Sequence, residues 1–211
     1  ARARDDILAV LDGLGIARAH IVGLSMGAFA TLHFGMHHAA RALSLVVAGC
    51  GYGAHPDGHA EFQAHARDNA RLIREQGIAA FAASYGQGPG RTQLRAKHPR
   101  GFEDFLRNFS DHSTTGSANT MEGYQGRRPS LYALEAELAA ITSPCLIIAG
   151  DEDDPTLEPG LFMKRRIKSA GLAVLPRSGH VLNLEDPALF NQLVEEFFHQ
   201  VESGRWRARE A

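Results

Sequence analysis

Gly23-Leu24-Ser25-Met26-Gly27 sets a serine between two glycines. The motif joins a short apolar run, His20 to Leu24, to a stretch whose only helix breakers are glycines. A sharp strand-to-helix turn here holds the middle residue in a strained backbone conformation and lifts its side chain clear of a sheet. Both glycines are expected to remove Cβ atoms that would collide in that turn. A helix starting at Met26 places the positive end of its dipole beneath the hydroxyl. The Met26 N–H would then point at charge developing on an attacked carbonyl oxygen. A serine hydroxyl is a poor nucleophile at neutral pH and needs a base, which in turn needs an orienting acid.

Both partners follow later in the chain. The run Cys145 to Ala149 (CLIIA) leads into Gly150-Asp151-Glu152-Asp153-Asp154-Pro155, and Leu172 to Leu175 (LAVL) leads into Pro176-Arg177-Ser178-Gly179-His180. In open parallel sheets, ligands bind beyond the carboxyl ends of the strands. A serine, a loop of carboxylates and a histidine therefore open onto one sheet edge. On these grounds the acid is Asp151, Asp153 or Asp154, and the others are solvated loop charges.

The elements that must position these loops read as an α/β fold. Ile7, Leu8, Leu11 and Leu14 fall at helical spacing and Gly15 ends the pattern. Strands are expected at His20–Leu24, Ala42–Ala48, Cys145–Ala149 and Leu172–Leu175. None alternates polar with apolar residues, as fits a parallel sheet covered on both faces. Helices are expected at Met26–Ala39, Leu131–Ile141, Leu161–Ser169 and after Asp186. There Asp186 suits an N-cap, Pro187 the first helical position, and Gly204 the end. Phe190, Leu193, Val194, Phe197, Phe198 and Val201 give this last helix one apolar stripe. Residues 51–130 are polar, rich in Gly, His and Arg, and show no strand pattern. Helical stretches near Glu61–Arg74 and Phe102–Phe109 make this region an excursion inserted in a layered domain.

Taken together, GLSMG around Ser25, PCLIIAGDED leading to Asp153, and SGHVLNLEDP from Ser178 to Pro187 resemble the α/β-hydrolase superfamily. The resemblance implies a catalytic triad of Ser25, Asp153 and His180, because the family's acid sits three residues after the glycine ending its strand. It implies an oxyanion hole that includes the Met26 N–H. It also implies a core of residues 1–50 and 131–211 and a helical cap of residues 51–130 over the site, with no cofactor and no metal. The activity implied is hydrolysis of a small, partly apolar ester through an acyl-enzyme. Carbon–carbon bond hydrolysis and cofactor-free perhydrolysis use the same triad, and a non-catalytic ligand receptor is the remaining alternative.

Members of that family carry several strands, and a loop with a second oxyanion donor, before the nucleophile. Here only one helix precedes the nucleophile strand. The resemblance thus implies the C-terminal part of a longer protein. Its four strands would lie in a row, with the nucleophile strand at an edge. Loss of one oxyanion donor costs on the order of 10² to 10³ in rate, so this chain alone is expected to be weakly active or inactive.

Composition narrows the partners. The 211 residues are 44% hydrophobic and 22% charged, with a net charge of −2 and both signs scattered. Nothing in that pattern suits nucleic acid, and no apolar run is long enough to span a bilayer. The expected partner is a small-molecule substrate. The two cysteines, Cys50 and Cys145, are placed at opposite ends of neighbouring strands and are expected to be reduced and structural, which fits a cytoplasmic protein. His33 and His37 stand one helical turn apart but lack a Glu partner and a third ligand, so no metal role is expected; the same holds for His55, His59 and His65. Phe102, Phe105 and Phe109 either pack the inserted helices or touch substrate. Arg127 and Arg128 either steer an anionic substrate or face water. Glu185 is expected to help start the last helix.

Overall fold

The structure is a computed structural model that describes residues 2–209. Helix α1 (Arg2–Gly13) leads to β1 (Ala19–Leu24), α2 (Met26–His37) and β2 (Ala42–Ala48). Five helices follow: α3 (Pro56–Gln76), α4 (Ile78–Tyr85), α5 (Thr92–Lys97), α6 (Pro99–Ser110) and α7 (Thr114–Thr120). The chain then forms α8 (Glu135–Ala139), β3 (Cys145–Gly150), α9 (Asp154–Arg166), β4 (Ala170–Leu175), α10 (Leu182–Glu185) and α11 (Pro187–Glu202).

The four strands are parallel and lie in the order β1-β2-β3-β4. Alternate residues of the central strands face opposite layers, as the two-residue period of a strand requires. Leu45, Val47 and Ile147 point into a core shared with Leu11, Phe29, Leu32, Phe34, Leu138 and Met163 from α1, α2, α8 and α9. Val46, Ala48, Leu146 and Ile148 point the other way, onto Leu182, Val194 and Phe197 of α10 and α11. Covering both faces leaves β2 and β3 no room for polar alternation, which explains the ALSLVVA and CLIIA runs. Strand β1 stands at the sheet edge, and its Val22 is 49% exposed.

Several boundaries differ from those expected. The helix expected over 161–169 begins at Asp154, because Pro155 sits in the first turn, where a missing N–H costs nothing. It ends at Arg166, and the last strand begins at Ala170 rather than Leu172. The stretch 131–141 is broken into a 3₁₀ turn, Tyr132–Leu134, and the short α8. There Ser130 Oγ accepts the Tyr132 N–H at 3.1 Å and donates to the Ala54 carbonyl at 2.5 Å, tightening the start. Asp186 holds the N-cap position of α11, yet its side chain caps nothing. Its carboxylate is taken by Lys97 Nζ at 2.6 Å and by the Ser178 hydroxyl. A charged donor and a hydroxyl outcompete a backbone N–H for it.

Cys50 and Cys145 are both buried and free. Burial pushes the Cys145 thiol up to about 12, which leaves it protonated and inert. Among the described residues no group of three or more His, Cys, Asp or Glu side chains is placed to hold a metal ion. No helix among the described residues is long and apolar enough to cross a membrane. His33 instead lies inside the α2 layer, where burial pushes its pKa from 6.5 down to about 4.

Two stability measurements follow from this packing. The unfolded chain protonates His33 below pH 6.5 while the folded chain resists until about 4, so stability falls as pH drops through that window. In urea denaturation across that range, His33→Gln is expected to flatten the decline; an unchanged slope would refute a neutral, half-buried His33. Phe197 is 2% exposed at the centre of its layer, so Phe197→Ala is expected to cost about 3–5 kcal/mol in the same assay.

Candidate active site

Strand β1 runs straight into α2 through Ser25, whose φ is 54° and ψ −113°. A non-glycine residue at positive φ is rare and holds strain only where its surroundings fix it. Three features fix it here. The Ser25 N–H donates to the Ala48 carbonyl at 2.8 Å, continuing the β1–β2 pairing through the turn. The Ser25 carbonyl already accepts from Ala28 and Phe29, as the start of α2. Gly23 lets the helix lie against the strand, since a Cβ there would fall 2.2 Å from the Gly27 carbonyl oxygen. The expectation for Gly27 is corrected: a Cβ on it would meet nothing within 4 Å. The close approach is made by its backbone, so only the first glycine of the pair is sterically required.

The turn presents Ser25 Oγ 2.8 Å from His180 Nε2. His180 Nδ1 lies 2.7 Å from Asp153 Oδ2. Asp153 is 6% exposed, and Thr156 Oγ1 stands 3.0 Å from its Oδ2 and 2.9 Å from its carbonyl oxygen. Among the three neighbouring aspartates, geometry separates the roles. Asp151 is exposed and accepts the Ser178 N–H at 3.1 Å, and backbone N–H groups of Arg177 and Ser178 hold its carboxyl below the usual range. Asp154 is exposed at the first position of α9. Met26, the expected oxyanion donor, occupies the first position of α2, and among the described residues its N–H has no acceptor.

The histidine loop is held by groups for which the sequence indicated no part in the site. Glu185, expected to start α11, is 1% exposed and turns back to accept the Gly179 N–H at 2.5 Å. Its burial raises the carboxyl pKa. The segment between β2 and β3 grips the same loop: the His180 N–H donates to the Gly90 carbonyl at 3.0 Å. Gly90 permits that contact, since a Cβ on it would lie 2.9 Å from His180 Cβ. His98 Nε2 lies 3.2 Å from the Glu185 carbonyl oxygen, Lys97 pairs with Asp186, and Gln93 donates to Glu152 at 2.8 Å. These partners share no motif, since each is defined only by the meeting of two distant segments.

A cavity of about 250 Å³ opens beside Ser25 and His180, lined in part by Phe29, Phe62, His65 and Arg128. A second, of about 520 Å³, lies on the Asp153 side of His180 and includes Tyr85 and Arg91. Of the aromatic trio on α6, Phe102 packs with Leu94 and Val181, while Phe109 stands edge-on to Phe81 and Tyr85. Of the arginine pair, Arg127 is exposed and Arg128 is buried in the cavity wall.

Comparison with known proteins gives the family. The model of the alpha/beta hydrolase family matches residues 1–193. The chain is 29% identical over 201 residues to 3-oxoadipate enol-lactonase 1 of Acinetobacter baylyi, covering 94% of this chain and 70% of that protein. It is 30% identical over 201 residues to 2-hydroxy-6-oxononadienedioate/2-hydroxy-6-oxononatrienedioate hydrolase of Burkholderia vietnamiensis, covering 90% and 66%. Among solved structures, MenH from S. aureus shares the fold at a TM-score of 0.86 and 18% identity, covering 94% of this chain and 74% of that one. This chain is thus a hydrolase that belongs to the alpha/beta hydrolase family.

Proposed function

We propose that this chain is a serine hydrolase of small, partly apolar ester-like substrates, with Ser25 as nucleophile, His180 as base and Asp153 as orienting acid. The carrying observation is the unbroken line from Ser25 Oγ to His180 to Asp153, with Ser25 at the strained turn. His180 Nε2 takes the Ser25 proton as Oγ attacks the acyl carbon. Asp153 accepts the His180 Nδ1–H, fixing the tautomer and stabilising the imidazolium. The Met26 N–H donates to the oxyanion, and His180 returns the proton to the leaving group as the acyl-enzyme forms. Water then repeats the cycle in reverse roles, regenerating Ser25.

In this reading residues 51–130 form a cap over the core of residues 1–50 and 131–211, walling the cavity and excluding water. The relatives named as an enol-lactonase and a dioate hydrolase support small-molecule acyl chemistry for this chain. Two reduced buried thiols support a cytoplasmic setting.

A fluorophosphonate probe is expected to label the chain, and Ser25→Ala to abolish the label; persistent labelling would move the nucleophile elsewhere. Asp153→Asn is expected to lower kcat for a p-nitrophenyl ester on the order of 10⁴-fold, because the imidazole loses its tautomer. Asp151→Asn is expected to stay within a few-fold of the parent. A reversed order of the two would reassign the acid to Asp151.

A further inference from the structure

Arg128 is buried in the wall of the cavity that Ser25 and His180 share, at 7% exposure. A guanidinium stays protonated in proteins, so burying it costs several kcal/mol unless a counter-charge or full hydrogen bonding compensates. Here compensation is partial. Arg128 Nη1 donates to Gln125 Oε1 at 2.5 Å and Nη2 to the Tyr52 carbonyl, while Nε has no partner among the described residues. Among those residues no ion pair includes Arg128. The titratable groups around it are Cys50, Tyr124 and Tyr85, with Tyr52, His65 and His180 in the same cavity wall, and none of them is a carboxylate. Desolvation pulls its pKa down to about 10, which still leaves it fully charged at pH 7.

Its surroundings hold the group in place without neutralising it. The guanidinium lies over the Phe29 ring at 3.9 Å and the Phe62 ring at 4.3 Å, so its plane is set by two aromatic contacts. Phe29 is one helical turn past Ser25 on α2, and Phe62 belongs to α3. An oriented guanidinium with no counter-charge, in the wall of the cavity that holds Ser25, is suited to a planar anion, which the remaining N–H groups of its two terminal nitrogens can bind through parallel hydrogen bonds.

We propose that Arg128 is the anion-recognising group of this pocket and that the substrate is a small ester or lactone that also carries a free carboxylate. This rests on the serine-hydrolase reading of the same site and narrows it. Arg128 binds and orients the substrate's carboxylate while the scissile carbonyl faces Ser25; it takes no part in proton transfer.

Monomethyl glutarate and dimethyl glutarate differ by one charge and little in size. The unmodified chain is expected to favour the monoester in kcat/KM, chiefly through KM. Arg128→Gln is expected to lower the monoester-to-diester ratio on the order of 10- to 100-fold, the worth of one charged hydrogen-bonded contact. Arg128→Lys, which keeps charge without the fork, is expected to lower it less. No preference in the unmodified chain, or an equal fall of both rates in Arg128→Gln, overturns the proposal, the latter by marking a packing role. A binding measurement separates this from the hydrolytic reading. Calorimetric titration of the Ser25→Ala chain with glutarate is expected to show binding that glutaramide does not, and absence of that binding overturns the anion site even where dimethyl glutarate is turned over. Glutarate binding without any fluorophosphonate labelling of Ser25 would instead keep the anion site and overturn the hydrolase reading. If Arg128→Gln does not fold, the Arg128→Lys ratio and the glutarate titration decide.

Discussion

The meeting of β1 with α2 at Ser25 is the constraint on which the rest of the site depends. The serine must leave the strand at positive φ while its N–H remains in the β1–β2 pairing and its carbonyl enters the helix. That arrangement is possible only if helix and strand nearly touch, which the missing Cβ of Gly23 allows. Once the turn is formed, three consequences come together: the hydroxyl stands at the sheet's carboxyl edge, the first N–H groups of α2 point at the same space, and Phe29 is carried one turn deeper. The parallel sheet supplies the remaining geometry, because register from β2 through β4 brings the acid loop and the histidine loop to that edge.

Around this centre the positioning is layered. Asp153 and Thr156 sit together at the start of α9, and Thr156 Oγ1 stands beside the same Oδ2 that meets His180 Nδ1. Glu185 folds back onto the Gly179 N–H from the short helix that follows the histidine. A buried carboxylate is costly to desolvate, and the Gly179 N–H of the histidine loop is what compensates Glu185 there.

Much of the fold was readable because its signals are local. GLSMG between an apolar run and a helix follows from the sterics of one turn, and unalternating strands follow from burial on both faces. The carboxylate loop and the histidine loop were readable as the segments closing β3 and β4, though which of Asp151, Asp153 and Asp154 lies against His180 is visible only in the structure. What stayed hidden depends on segments far apart in sequence. Arg127 and Arg128 are identical in type and adjacent, yet one faces water and the other lies between Phe29 and Phe62; no periodicity distinguishes them. Glu185 read as a helix-starting charge because nothing local indicates that it is buried. Asp186 was misjudged as a capping side chain because Lys97, 89 residues earlier, claims its carboxylate. The expected helix at Leu161–Ser169 starts too late, since Pro155 sits in the first turn, where a helix tolerates it, and α9 runs on through Pro159.

The contact between the Gly90 carbonyl and the His180 backbone N–H has a mechanical consequence. The turn Pro89–Arg91 and the residue whose Nε2 faces the Ser25 hydroxyl are clasped to each other through the main chain. The place of that imidazole is therefore set by main-chain geometry at two points 90 residues apart, and a side chain added at Gly90 would press directly on it.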